Sequence, residues 1–157
     1  MTSENDVVTM AGGGDTGDAS VRLSVVIACY NAEDTIGDQL EALARQTSPE
    51  PWEVVVANNR STDNSVAVID RYRKCMRNLR LVEASEMQGT AHAMNVGVRA
   101  ARGELLAFCD ADDVVGEGWI AAMASALAVH KFVSGPHEIA LLNSPALQKS
   151  RRNAQPT

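Results

Sequence analysis

Aromatic residues are scarce in this chain, with two Trp, two Tyr and two Phe among 157 residues. Val, Leu, Ile and Ala must therefore fill the interior, and the length suffices for one domain with a real core. A basic surplus is missing as well. The formal net charge of −6 leaves no cationic face to neutralise phosphates along a duplex, which excludes a nucleic-acid binder. Lys149, Arg151 and Arg152 form a small basic cluster that reads as a solvated end. No apolar run approaches the length of a membrane span, and the N-terminus lacks the basic-then-apolar layout of a signal peptide. Cys29, Cys75 and Cys109 show no C-x-x-C spacing, and their odd number fits a reducing compartment. The expected location is cytoplasmic, either free or peripheral to a membrane.

What is present is an alternation. Residues 1–20, with Gly12-Gly13-Gly14, lack periodicity and read as a flexible leader, since a phosphate-binding glycine loop must follow a strand and open a helix. Leu23 to Cys29 is a short, β-branched strand. Asn31 or Asp34 can cap a helix with Ile36, Leu40 and Leu43 on one face, running to about Gln46. Glu53 to Ala57 is a second strand, and Ser61 or Asp63 is the expected cap of the next helix. Leu79 to Glu83 is a third strand; a helix carrying Ala91, Met94, Val98 and Ala101 follows Gln88-Gly89-Thr90, with Met94 read as core packing. Trp119 to about His130 is Ala-rich and helical, and a short apolar run, Ile139 to Leu142, comes later. Four strand–helix alternations with short connections predict an α/β domain over residues 21–145 with a mainly parallel sheet, and a polar tail over 146–157.

The fourth strand carries the chemistry. Leu105 to Cys109 is an apolar run expected to be a buried strand, and Asp110, Asp112 and Asp113 follow at once. Parallel sheets bind ligands at the carboxyl ends of their strands. Asp110 and Asp112 could face one hard cation, Mg²⁺ or Mn²⁺, which would hold a diphosphate, or they could form only a solvated acidic turn. Tyr30-Asn31 and Asn58-Asn59 fall at two other strand ends, so three polar clusters converge on one predicted pocket.

The segments LSVVIACYNAEDTIGDQLEALARQT, VVVANNRSTDNS, GTAHAMNVGVRAARGE and LLAFCDADD resemble, in order and spacing, family 2 glycosyltransferases with the Rossmann-like GT-A fold, over about residues 22–120. The resemblance implies a nucleotide-sugar donor, a UDP-sugar first among them, and a Mg²⁺ or Mn²⁺ cofactor. Tyr30 and Asn31 match the loop lying against the nucleoside, and Asn58 the first acid of an Asp-Asp pair that accepts a hydrogen bond from the base. Asp110 and Asp112 match the D-x-D motif, the first facing the ribose or metal-bound water and the second ligating the metal. Gly89 and Asn95 match the nucleotide-facing loop and helix start. The departures are Asn58 in place of an acid, Arg60 where Gly is frequent, and Met94 where Arg is frequent. Family members continue into an acceptor-binding half that supplies a general base. This chain is expected to be truncated after the D-x-D motif and to lack that base, with His137 and Glu138 its only remote candidates.

Two other readings are open. A truncated, non-catalytic nucleotide-binding or interaction module fits the same residues. Leu105 to Val115 also fits the haloacid-dehalogenase signature, with Asp110 as a phosphoryl-accepting nucleophile. That family needs its motif near the domain start and a later acidic pair, neither of which is found. An EF-hand loop is excluded by Val114 and Val115.

Overall fold

The computed structural model describes residues 20–135. The expected leader (apart from Ser20), His137, Glu138, the run Ile139 to Leu142, the basic cluster and the polar tail lie outside the described residues.

Strand and helix alternate four times, as the sequence predicts. The order is β1 (Leu23–Cys29), α1 (Ile36–Ala44), β2 (Trp52–Asn58), α2 (Ser65–Arg73), β3 (Leu79–Glu83), α3 (Thr90–Ala100), β4 (Leu105–Phe108) and α4 (Trp119–Val129). The strands form one sheet in the order β3-β2-β1-β4, and every pair is parallel. From β1 the chain steps outward through β2 to β3, then returns to place β4 on the other side of β1. This reversal is a topological switch point, and α/β sheets bind ligands at the carboxyl ends beside such a point.

Burial follows from the residue types. Val25, Val26 and Ile27 of β1 and Val54, Val55 and Val56 of β2 are fully buried, because helices cover both faces of a parallel sheet. Ile36, Leu40 and Leu43 of α1, Val68 and Ile69 of α2, and Ile120 and Ala124 of α4 share a core with Val25, Ile27, Val54 and Val56. Ala93 of α3 packs separately with Ala57 and Ala84. The sheet alternation thus sends α3 to the opposite face.

Several local expectations are corrected. Helix α3 buries Ala93 and Gly97, not the Ala91–Met94–Val98 face, and Met94 is only partly buried. The reason is close approach: a Cβ on Gly97 would lie 2.4 Å from Val26 Cγ1, so the helix turns its small residues to the sheet. Strand β4 is not buried throughout. It pairs with β1 alone among the described residues, so Ala107 and Cys109 are buried while Phe108 remains 49% exposed. Helix α1 starts after Thr35 and ends at Ala44, with no side-chain cap from Asn31 or Asp34. Helix α2 has Asn64 at its cap position, and the Asp63 carboxylate accepts instead from the Ser65 N–H at 3.0 Å.

The amino ends of the strands are locked by one buried carboxylate. Glu53 is 3% exposed and accepts from Ser24 Oγ at 2.8 Å, Arg80 Nη1 at 2.9 Å and the Arg102 N–H at 2.6 Å. Ser24 Oγ in turn accepts from the Gly103 N–H at 2.9 Å. Three donors, one of them a cation, satisfy a charge that would otherwise be costly to bury. Burial alone would raise the Glu53 ionisation. The hydrogen bonds from Arg80, Arg102 and Ser24, with the Arg80 charge, outweigh it and hold the carboxyl below its ordinary value.

Glu53→Ala is expected to cost about 3 kcal/mol of unfolding free energy, because the Arg80 charge and two buried donors lose their partner; urea denaturation at pH 7 measures it. The depressed ionisation fixes the sign with pH. The contribution of Glu53 is complete above the ordinary glutamate range and is lost as pH falls through the lowered folded value. Stability–pH curves should therefore fall less steeply on the acid side in the variant than in the parent.

Candidate functional site

Register brings the polar strand ends together. Cys29 pairs with Asn58, and Asn58 with Glu83. The Asn59 N–H donates to the Cys29 carbonyl and the Ala84 N–H to the Asn58 carbonyl, each at 2.8 Å. The loops after β1, β2 and β3 therefore leave the sheet as one layer.

Side chains then tie these loops to one another. Asn31 has φ 47, a left-handed conformation that asparagine tolerates. Its N–H donates to Ser61 Oγ at 3.1 Å, and its Oδ1 accepts from the Thr62 N–H at 2.8 Å. The Ala32 N–H donates to Ser65 Oγ at 2.8 Å and the Glu33 N–H to Asp63 Oδ2 at 3.0 Å. Glu33 returns the exchange, its Oε2 accepting from Asn64 N at 2.8 Å. Slight desolvation raises the Asp63 carboxyl, but bonds from the Ser65 hydroxyl and the Ser65 and Glu33 N–H groups lower it further, leaving it below the ordinary range. Tyr30 stands exposed beside this seam.

Asn58 and Asn59 face different tasks. Asn58 is 6% exposed; its Oδ1 accepts from the Ser61 N–H at 3.2 Å, and its Nδ2 donates to the Glu83 carboxylate at 3.0 and 3.3 Å. Asn59 Nδ2 donates to the carbonyls of Ala84 and, at 2.8 Å, Met87. Its Oδ1 accepts from the Gly89 N–H at 2.6 Å. Gly89, with φ 143, holds the loop open at the start of α3. Arg60 does adopt the left-handed conformation, φ 65, which costs about 1–2 kcal/mol in an L-residue. Its guanidinium donates to the Ser85 and Glu86 carbonyls at 2.6 and 3.2 Å, bonds that offset the strain and that glycine could not make.

Across β1 lies the acidic loop. Asp110 and Asp112 are exposed, whereas Asp113 Oδ2 accepts from the Asp110 N–H at 3.0 Å and closes the turn. Two glutamines of the α1 region hold the loop from below. Gln39 Oε1 accepts from Val115 N at 3.0 Å, Gln46 Oε1 from Ile120 N at 3.2 Å, and Gln46 Nε2 donates to the Gly116 carbonyl at 2.9 Å. Burial pushes the Cys109 thiol up to about 12; a bond from Gln39 lowers it, and the Asp113 and Asp110 charges raise it. Burial also raises Cys29. Both are neutral packing groups at physiological pH, not nucleophiles.

The structure thus draws Asn31, Asn58 and Gly89 into one network, with Tyr30 exposed beside it and Asp110 and Asp112 on the neighbouring strand end. Asn95, exposed on α3, lies outside that network. Among the described residues no group of three or more His, Cys, Asp or Glu assembles as a metal cage. Sequence reasoning placed Asn59 in a polar strand-end cluster without naming a partner, and assigned no role to Glu83, Gln39 or Gln46; the long-range partners lie 25 to 76 residues away, beyond any local pattern.

The family model of glycosyl transferase family 2 matches residues 24–151. The poly(ribitol-phosphate) beta-glucosyltransferase of Bacillus spizizenii is 35% identical over 98 residues, covering 61% of this chain and 16% of that protein. The crystal structure of Staphylococcus aureus TarS 1–349 in complex with UDP-GlcNAc superposes with a TM-score of 0.62 at 29% identity, over 71% of this chain and 32% of that one. The mannosyltransferase PcManGT from Pyrobaculum calidifontis, in complex with GDP-Man and Mn²⁺, gives 0.58 at 31% identity, over 68% and 31%. The chain therefore spans about a third or less of these three proteins. No helix among the described residues is long and apolar enough to cross a membrane.

Asn59→Ala removes three hydrogen bonds and leaves the Gly89 N–H and two carbonyls without that partner. The expected loss is about 2–3 kcal/mol of stability, with much faster amide exchange at Gly89 than in the parent. Hydrogen exchange by NMR reads both effects.

Proposed function

The chain belongs to glycosyl transferase family 2, and on that premise we propose that it carries the site for a nucleoside-diphosphate sugar. A UDP-sugar is the donor class we favour, and the enzyme containing the site transfers the sugar to an acceptor hydroxyl. The observation that supports this reading most is the switch point. Loops after β1 and β4 open side by side, one bearing Tyr30 and Asn31 and the other Asp110 and Asp112. An α/β sheet offers its ligand groove at this place.

The roles follow from chemistry. Tyr30 offers an exposed ring for a base to lie against. Asn31 and Asn58 shape the nucleoside corner, and the amide and loop of Gly89, with Asn95 on the same helix, border it. A Mg²⁺ or Mn²⁺ ion would be held by Asp112, with Asp110 beside it. Two exposed carboxylates fit such an ion only if phosphate oxygens and water complete its shell, which is the usual way Mg²⁺ joins a protein to a diphosphate. When bound, the ion supplies positive charge against the departing diphosphate. The protein's own part is to hold the carboxylates in place. Gln39, Gln46 and Asp113 do this by fixing the backbone on both sides of Asp112. PcManGT with GDP-Man and Mn²⁺ and TarS with UDP-GlcNAc lend support by similarity. Three free cysteines agree with a reducing, cytoplasmic setting.

Calorimetry of the purified chain with UDP and UDP-GlcNAc, with Mn²⁺ and with chelator, tests the reading. Binding should require the metal, and Asp112→Asn should weaken it by about tenfold, or about 1.4 kcal/mol, without lowering the melting temperature. Equal affinity in parent and variant would remove Asp112 from the site.

A further inference from the structure

Asn58 stands where an acid would read the base, yet its amide is already engaged. The oxygen accepts from the Ser61 N–H at 3.2 Å, and the nitrogen donates to both Glu83 oxygens at 3.0 and 3.3 Å. These bonds fix the amide orientation, because a flip would face nitrogen to an N–H and oxygen to a carboxylate. With Asn58 buried and Glu83 exposed, the charged acceptor at this corner sits one strand further out, at the end of β3. Adjacent strands lie about 4.8 Å apart, so the acceptor is displaced sideways and not lost.

We propose that Glu83 determines the base specificity of this site, with Asn58 as the positioning residue that holds its carboxylate toward the groove. This rests on the nucleotide-sugar reading given above. An ionised carboxylate only accepts hydrogen bonds. It therefore favours a base that presents a ring N–H, as uracil and guanine do, over cytosine and adenine, whose corresponding ring nitrogens are acceptors. Guanine adds an exocyclic amine beside its ring N–H and can address both carboxylate oxygens. Asn58 alone, with an acceptor and donors in one group, would not make this distinction. The Arg60 guanidinium is held by the Ser85 and Glu86 carbonyls, and the Glu83 carboxylate accepts from the Asn58 amide.

The test is competition binding of UDP, GDP, CDP and ADP to the full chain in Mn²⁺, for the parent and Glu83→Gln. Glu83 is exposed and Gln is isosteric, and a melting curve checks that the variant folds. The parent should prefer UDP and GDP over CDP and ADP by about tenfold, the worth of a hydrogen bond to a charged acceptor at a solvated site. In Glu83→Gln that preference should shrink to about twofold, mainly through weaker UDP and GDP binding. Asn58→Ala, which frees the carboxylate to swing, should reduce the same preference part-way. An unchanged ratio in Glu83→Gln, with all four nucleotides still bound, overturns the role of Glu83 and leaves the nucleotide site standing. Absence of binding by the parent to any of the four overturns both.

Discussion

The position of β1 between two parallel partners is the constraint on which the rest of this structure depends. Leu23 pairs with Trp52 on one side and Leu105 on the other, so the register of three strands is set from one. Parallel pairing sends the loops after β1, β2 and β4 to the same edge. The strand order reverses at β1, and α/β sheets bind ligands beside such a point, between the β1 and β4 loops here. The Glu53 network fastens this arrangement at the opposite edge: Ser24 and Glu53 receive the backbone N–H groups of Gly103 and Arg102 just before β4 begins. A register set by a buried charge beneath the sheet thus decides where Asp110 and Asp112 emerge above it.

Above the sheet, neutral amides do most of the positioning. Asn59 and Gln46 each use the donor and the acceptor of one amide to bridge backbone segments, and Asn31, Asn58 and Gln39 each accept from a backbone N–H, all without a charge to desolvate. Asp63 and Asp113 close turns with backbone N–H groups. Asp112 and Glu83 remain exposed at the rim. A site of the kind proposed, one that gathers a diphosphate, would benefit from this division. On the reading proposed above, the amides hold the loops through bonds within the protein, and the exposed acids face a metal or a base.

Much of the fold was legible because strands β1, β2 and β3 are apolar, β-branched and separated by helices of clear 3.6-residue period. The resemblance supplied roles for the polar strand ends that periodicity could not. What failed has physical reasons. The face of α3 was misread because Gly97, a poor helix former, is the residue of closest contact with Val26, and hydrophobicity alone favoured Met94. Phe108 reads as core in an apolar run but lies on a strand paired on one side only among the described residues, and a strand's place in the sheet is not written in its own residues. The helix caps were misassigned because Asn31 and Asp63 use their side chains across loops, accepting from backbone N–H groups 31 and 30 residues away. Glu83 looked like the last residue of a strand, and only the register with Asn58 gives it a partner.

The most direct measurement is paramagnetic broadening of the amide spectrum of the isotope-labelled chain by Mn²⁺ in the presence of UDP. Bleaching should centre on the amides of Asp110 to Asp113 and extend to Tyr30 and Asn31 across the switch point. Amides at the opposite edge, at Leu23, Trp52, Leu79 and Leu105, should keep their intensity. Bleaching centred on that opposite edge, or the same pattern of loss with and without UDP across the whole sheet, would contradict a metal–diphosphate site at the carboxyl ends of β1 and β4.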